Sequence, residues 1–136
     1  MSRDNVEALR NAFGAFNERG IEAAIDSFEH LLGDDFELEE ATDVPDRERH
    51  GGRSGFLANL RKFEEEFEDL RVEPLAVVDL GDRLVVDVAI SGRGRVSGAY
   101  IDARFAQLWL IRDGKAVSLR DYATKSEALE AARSSE

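Results

Sequence analysis

The stretch "RDGKAVSLRDYATKSEALEA" at residues 112–131 decides the fold, because it joins a tight turn, a strand and a capped helix. The pair Asp113-Gly114 is a strong hairpin signal, since glycine accepts the positive φ that two-residue turns need. A short strand follows, and Thr124 with Glu127 three residues later has the spacing of a helix capping box. An antiparallel hairpin that leads into a closing helix is therefore predicted for this end of the chain.

The sequence before this hairpin divides into a helical half and a strand-rich half. From Leu70 onward, strand-like segments are separated by turn residues at 81–83 and 92–95. Before Leu70, apolar residues recur at intervals of three and four, which indicates two helices that meet near Gly20 and a third over about 53–68.

Two shorter features complete the N-terminal half. Asp4 and Glu7 have capping-box spacing and predict the start of the first helix. Residues 36–42 alternate apolar and acidic side chains, as a half-buried strand does, and 43–52 form a polar connection.

The predicted order is α-α-β-α-β-β-β-β-α, in one domain over residues 1–136. This order favours an α+β fold, with a curved, mostly antiparallel sheet wrapped on three helices of the N-terminal half, plus a short C-terminal helix. A strongly curved sheet against helices leaves room for an apolar cavity between the layers.

Composition excludes several function classes. The net charge of −11 argues against nucleic acid as a partner, and the absence of cysteine excludes disulfides and thiolate catalysis. The apolar runs are too short for a transmembrane helix, so we expect no membrane partner and a cytoplasmic location. His30 and His50 stand apart without a convergent carboxylate pattern, so we expect neither a metal nor a cofactor.

The chain resembles the SnoaL-like branch of the nuclear-transport-factor-2-like superfamily over about residues 4–132. The residues that carry the resemblance are "GDRLVV" (81–86), "GRGRVSG" (92–98), Trp109, "RDGK" (112–115) and "EALEA" (127–131). The resemblance implies a cone-shaped α+β domain and a homodimer formed through the outer face of the sheet.

Three related enzyme families imply roles for particular residues. The polyketide cyclases have an acid/base aspartate seven positions after the "GK" glycine, which corresponds to Asp121. Limonene-1,2-epoxide hydrolases have it too, with an arginine and an aspartate on an earlier strand that correspond to Val85 and Asp87. Their tyrosine and asparagine correspond to Ala41 and Asp43, so epoxide hydrolysis by that route is disfavoured.

Ketosteroid isomerases supply the third comparison. Their base corresponds to Glu40, still a carboxylate, but their oxyanion tyrosine falls near Phe13 or Phe16, and phenylalanine cannot donate a hydrogen bond. His50, just before the third helix, is either a base or donor at the pocket mouth or a plain loop histidine.

The register implied by the resemblance turns Val85 and Asp87 inward beside Asp121. The alternate residues of that strand are all apolar: Leu84, Val86, Val88 and Ile90. Burial alone therefore predicts that these four residues face inward and that Asp87 faces outward. If both aspartates line an apolar pocket, desolvation and mutual repulsion raise the pKa of one of them. The predicted ligand-binding residues are Phe13, Phe16, Phe56, Leu60, Val85, Phe105, Gln107, Trp109 and Leu119.

We therefore expect a protein that binds a small, largely apolar metabolite. If it is an enzyme, the chemistry is cofactor-free acid/base catalysis led by Asp121, with Asp87, Glu40 or His50 assisting. Aldol cyclisation, hydrolysis and isomerisation all fit. The alternative is a non-catalytic module for ligand binding or dimerisation.

Overall fold

The computed structural model describes residues 2–39 and 49–134. Its elements are α1 (Ser2–Arg19), α2 (Ile21–Leu31), β1 (Leu32–Glu39), β2 (Arg49–Gly51), α3 (Gly52–Glu66), β3 (Phe67–Asp79), β4 (Arg83–Gly94), β5 (Tyr100–Arg112), β6 (Lys115–Tyr122) and α4 (Lys125–Ser134). The predicted α+β class is confirmed. Strand β2 lies in the stretch predicted as a polar connection, because three residues are too few to show a periodicity.

The six strands form one sheet in the order β2-β1-β6-β5-β4-β3. Neighbouring strands pair antiparallel, except that β1 and β6 run parallel. The mostly antiparallel sheet is thus confirmed, and β6, from the hairpin that opened the sequence analysis, lies in its interior between β1 and β5.

The turn and the cap predicted for residues 112–131 are both present. Asp113 and Gly114 have φ values of 52° and 76°, and two successive positive φ values are those of a type I′ hairpin turn. The Oγ1 atom of Thr124 accepts a hydrogen bond of 3.2 Å from the backbone N–H of Glu127, at the start of α4. The predicted start of α1 is wrong, since the helix begins at Ser2.

Helices cover both faces of the sheet. The larger core lies under α1, α2 and α3 and contains Leu9, Phe13, Phe28, Phe36, Phe56, Leu84, Val86, Val88, Trp109 and Leu119, among others. A second cluster lies on the opposite face, where Ala128 and Ala132 of α4 pack with Val85, Ala106 and Tyr122. The two faces of the sheet therefore have separate apolar layers.

The residues of β4 that face the larger core are the alternate set to those that the resemblance implied. Leu84, Val86 and Val88 belong to the larger core, whereas Val85 belongs to the α4 cluster. Asp87 has the parity of Val85, so it faces away from α1–α3. The prediction that Val85 and Asp87 point inward is wrong, because burial of the continuous apolar face fixes the register.

The Asn17 side chain attaches α1 to the edge strand β3. Its Nδ2 donates to the carbonyl oxygen of Val72, and its Oδ1 accepts from the N–H of Val72, both at 2.9 Å. This pair of bonds copies the pattern of a neighbouring strand, so it satisfies two edge groups and holds α1 over the inner face. None of the described helices is long and apolar enough to cross a lipid bilayer.

Candidate functional site

An apolar cavity of about 120 Å³ lies between the inner face of the sheet and helices α1–α3. It is small beside the roughly 300–1,000 Å³ of most ligand pockets, and closer to the ~150 Å³ cavity known to admit benzene. Apart from Gln107 and Asp121, the described residues that line it are apolar: Phe13, Phe16, Phe28, Phe56, Leu60, Phe63, Leu70, Val72, Ile90, Phe105, Trp109 and Leu119.

Trp109, the one tryptophan of the chain, is fully buried at the centre of the aromatic wall. Its ring lies 6.1 Å from that of Phe28, with the two planes nearly parallel, and 6.1 Å from that of Phe56 at 70°. Phe36 completes the group at 6.2 Å. Edge-to-face and stacked pairs at these separations stabilise one another, so this wall of the cavity is rigid.

Gln107 and Asp121 form the polar end of the cavity. They are direct partners across the β5–β6 ladder, which places their Cβ atoms about 5 Å apart. Gln107 is only 9% exposed, and the Oδ1 atom of Asp121 is buried. The two side chains reach the same face as Trp109 and Leu119, because residues two apart on a strand share a face.

A buried hydrogen bond orients the Gln107 amide. The indole Nε1 of Trp109 donates to Gln107 Oε1 at 3.0 Å. Since an indole nitrogen can only donate, the amide oxygen must face it, and the amide NH₂ group is directed elsewhere. The cavity thus combines a fixed hydrogen-bond donor, a carboxyl group and a wall of aromatic rings.

A model of the SnoaL-like domain family matches residues 7–119 of the chain. The chain belongs to the SnoaL-like domain family. No curated protein shows a significant match. Solved structures with the same fold include a protein assigned to the SnoaL-like polyketide cyclases from Jannaschia sp. CCS1, at 19% identity, a TM-score of 0.71, and coverage of 99% of this chain and 92% of that one.

Two further structures similar to this SnoaL-like domain contain small molecules. TerC co-crystallised with polyporic acid is 23% identical, with a TM-score of 0.69 and coverage of 96% of this chain and 98% of that one. A protein with a ketosteroid-isomerase-like fold from Catenulispora acidiphila, in complex with trimethylamine, is 17% identical, with a TM-score of 0.68 and coverage of 92% and 88%. At these identities the likeness shows the fold alone.

The cavity brings most of the predicted pocket positions of this SnoaL-like domain together. Asp121 lines it, together with Phe13, Phe16, Phe56, Leu60, Phe105, Gln107, Trp109 and Leu119. Val85 and Asp87 lie on the other face of the sheet. There the Asp87 Oδ2 accepts a 2.6 Å hydrogen bond from Arg104, whose side chain is 63% exposed. Asp87 therefore cannot share a proton with Asp121.

Glu40 and His50 are the other two predicted partners of Asp121. Glu40 lies outside the described residues. His50 lies in β2, in register with Leu38 of β1, which is itself in register with Leu119 of β6. The backbone of His50 is thus two strands from Leu119, about 10 Å away, and its role stays a prediction.

Five lining residues were missing from the predicted set: Phe28, Phe63, Leu70, Val72 and Ile90. Phe28 and Phe63 continue the helical apolar spacing, and Ile90 belongs to the wholly apolar parity of β4, so the signal for these three was present. Among the side chains that the structure describes, no three of the metal-binding types come together.

Proposed function

We propose that this SnoaL-like domain binds a small, largely apolar metabolite in the cavity and that Asp121 acts there as a general acid or base. One observation carries the proposal: among the described residues that line the cavity, Asp121 alone is ionisable. A carboxyl group that is partly removed from water beside a fixed amide donor is suited to moving a proton on a bound molecule. Related structures that hold polyporic acid and trimethylamine support a ligand-binding role.

Cofactor-free proton transfer is the chemistry that this side-chain set supports. The apolar wall excludes water from the ligand, and the Gln107 NH₂ group can donate to a carbonyl or hydroxyl oxygen while Asp121 accepts or delivers a proton. Aldol cyclisation, hydrolysis and isomerisation all need these two functions. A cavity of about 120 Å³ favours compact substrates over polycyclic ones.

A ligand-binding module without catalysis is the second candidate. It is favoured by the position of Asp87 on the outer face, since no second carboxylate among the described residues lines the cavity with Asp121. The set of paired catalytic groups that related enzymes use is therefore incomplete among the described residues of this cavity.

A thermal-shift screen followed by a turnover assay tests the proposal. Small lactones, epoxides and single-ring phenols and ketones are screened first, because a ligand that binds only the folded state raises Tm. Conversion of the stabilising compounds is then followed by chromatography for the wild type, Asp121→Asn and the control Asp87→Asn. We expect Asp121→Asn to bind normally but to lose at least about 100-fold in turnover, and Asp87→Asn to behave as the wild type.

Each result decides between the two candidates. Equal turnover in Asp121→Asn and the wild type ends the acid/base role. Binding without turnover in the wild type supports the binding module, and a screen in which no compound raises Tm contradicts both.

We also propose that the protein forms a homodimer through the outer face of the sheet, away from α4. Tyr100 is 63% exposed on that face of β5, and Asp102 and Arg104 follow it on the same side. Leu108, further along the strand, packs against the α4 cluster instead. A cytoplasmic location likewise stays a prediction.

A further inference from the structure

We infer that Leu70 closes the outer end of the cavity and sets the length of the ligand that this SnoaL-like domain accepts. The inference rests on the proposed binding role of the cavity and adds a residue that determines specificity. It follows from the place of Leu70 in the cavity wall, from a β-bulge that directs its side chain and from a glycine that lies beneath it.

The cavity wall changes from buried to exposed between its two ends. Trp109 is fully buried at the inner end, whereas Phe63 is 37% exposed and Leu70 is half-buried. Leu70 lies on β3, the edge strand of the sheet, and Phe63 lies near the C-terminal end of α3. The outer end of the cavity is therefore between α3 and β3, where Leu70 and Phe63 stand between its contents and water.

A β-bulge directs the Leu70 side chain into the cavity. The pairing of β3 with β4 shifts its register between Glu68 and Arg71. Within this shift, Asp69 and Leu70 are together opposite the single residue Gly92. Asp69 has a φ of 54°, the left-handed conformation that the first residue of one bulge type adopts. Because of the extra residue, Leu70 lines the cavity while Glu68, two positions earlier in the strand, is exposed.

Gly92 lets Leu70 lie close against the sheet. A Cβ atom at position 92 would be 3.2 Å from Leu70 Cδ1 and 3.4 Å from Leu70 Cα, closer than the optimal separation of about 3.5–4.0 Å between carbon atoms. A glycine inside a strand often marks a bulge or the close approach of another backbone. The bulge and the glycine together therefore fix Leu70 against the sheet, and the outer end of the cavity with it.

The position of Leu70 limits the length of a bound molecule. A ligand whose polar group lies against Gln107 and Asp121 extends its apolar part between the apolar walls toward the outer end. Each methylene group buried there should tighten binding about fourfold, which corresponds to about 0.8 kcal/mol. This gain should stop at the chain length that reaches Leu70.

Calorimetry with a series of 4-alkylphenols, from 4-methylphenol to 4-hexylphenol, tests the inference. Affinities are measured for the wild type, Leu70→Ala, Leu70→Phe and the control Leu75→Ala. Leu75 is a leucine of the same strand, is 47% exposed and is not among the described residues that line the cavity.

The variants should change the chain length at which affinity stops rising. Leu70→Ala leaves room for about two further methylene groups, so it should bind the longest phenols about 15-fold more tightly than the wild type does. Leu70→Phe should reach its limit at a shorter chain, because the larger ring takes up space at the outer end. Leu75→Ala should behave as the wild type.

Quenching of the Trp109 fluorescence by acrylamide tests the outer end without a ligand. Trp109 is the one tryptophan of the chain and lines the cavity, so a small neutral molecule that enters the cavity meets it. The quenching constant should rise in Leu70→Ala and stay at the wild-type value in Leu75→Ala.

The same limiting chain length in Leu70→Ala and the wild type overturns the inference, although binding of the phenols still supports the proposed function. An equal change in Leu75→Ala also overturns it. If no alkylphenol binds, the quenching decides: an unchanged constant in Leu70→Ala overturns the inference and a higher one supports it, while the metabolite screen separately decides the proposed function. Leu70→Phe decides the inference if Leu70→Ala does not fold.

Discussion

The hydrogen bond between Trp109 and Gln107 fixes the donor at the polar end of the cavity, and a double-mutant cycle measures it. Trp109 is fully buried and Gln107 is 9% exposed, so neither group can exchange this 3.0 Å bond for one to bulk water. Trp109→Phe leaves the amide oxygen without the indole donor. Gln107→Leu keeps the approximate shape of the side chain and leaves the indole N–H without its acceptor.

The expected magnitudes follow from these two buried groups. Leaving a buried donor or acceptor unsatisfied costs about 1–3 kcal/mol, so Gln107→Leu should lower the free energy of unfolding by that amount. Trp109→Phe should cost about 2–4 kcal/mol, because it also removes ring contacts, although less than the 3–5 kcal/mol typical when a buried aromatic becomes alanine. The double variant has no unsatisfied partner, so it should be more stable than the sum of the singles predicts, by about 1–2 kcal/mol.

Urea unfolding followed by far-ultraviolet circular dichroism gives the four free energies, since Trp109→Phe removes the fluorescent residue. A control cycle pairs Trp109→Phe with Val85→Ala, a buried residue on the other face of the sheet, and should be additive. If the Trp109–Gln107 cycle is also additive within about 0.5 kcal/mol, the bond does not contribute to stability, and the argument that it orients the amide is refuted.

Two further predictions test the faces of the sheet. Val85→Ala and Val86→Ala each remove two fully buried methyl groups, and each should lower the free energy of unfolding in urea by about 2 kcal/mol. Only Val86→Ala should shift the fluorescence emission of Trp109. A shift in Val85→Ala instead would support the register that the resemblance implied. Tyr100→Glu places a charge on the proposed dimer face, so sedimentation should show a change from twice the chain mass of 15.1 kDa to that mass; a wild type that is already monomeric contradicts the dimer.

The sequence was most informative where local chemistry and burial agreed. Asp113-Gly114 favours a two-residue turn that pairs β5 with β6, and a register shift between Leu110 and Ile111 then brings Gln107 opposite Asp121. The helical spacing and the alternation of β5 then predict most of the cavity wall. The turn, the helical spacing and the strand alternation follow from short-range rules, so a single sequence is enough to find them, whereas the turn alone would pair Gln107 with Arg120 and the register shift has to be read from the structure.

The errors have a different physical origin. For β4, the register implied by the resemblance disagreed with the continuous apolar face of the strand. The strand buries its apolar face, so Asp87 lies outside the cavity. The face on which α4 packs was not predicted, because it depends on contacts between residues far apart in the sequence and the apolar spacing within α4 does not specify its partner. Strand β2 exists through its pairing with β1, and its own residues carry no alternating pattern.

The closing helix and the cavity are connected through two adjacent residues of β6. Asp121 lies on the inner face, and Tyr122, the next residue, packs on the outer face with Ala128 and Ala132 of α4. Because successive side chains of a strand point in opposite directions, the backbone orientation that seats Tyr122 under α4 is the same one that directs the Asp121 carboxylate into the cavity. The Arg120 guanidinium donates to the Tyr122 hydroxyl at 3.3 Å and further restrains this end of the strand. Packing of α4 on the outer face therefore determines where the Asp121 carboxylate points, although none of the described side chains of the helix lines the cavity.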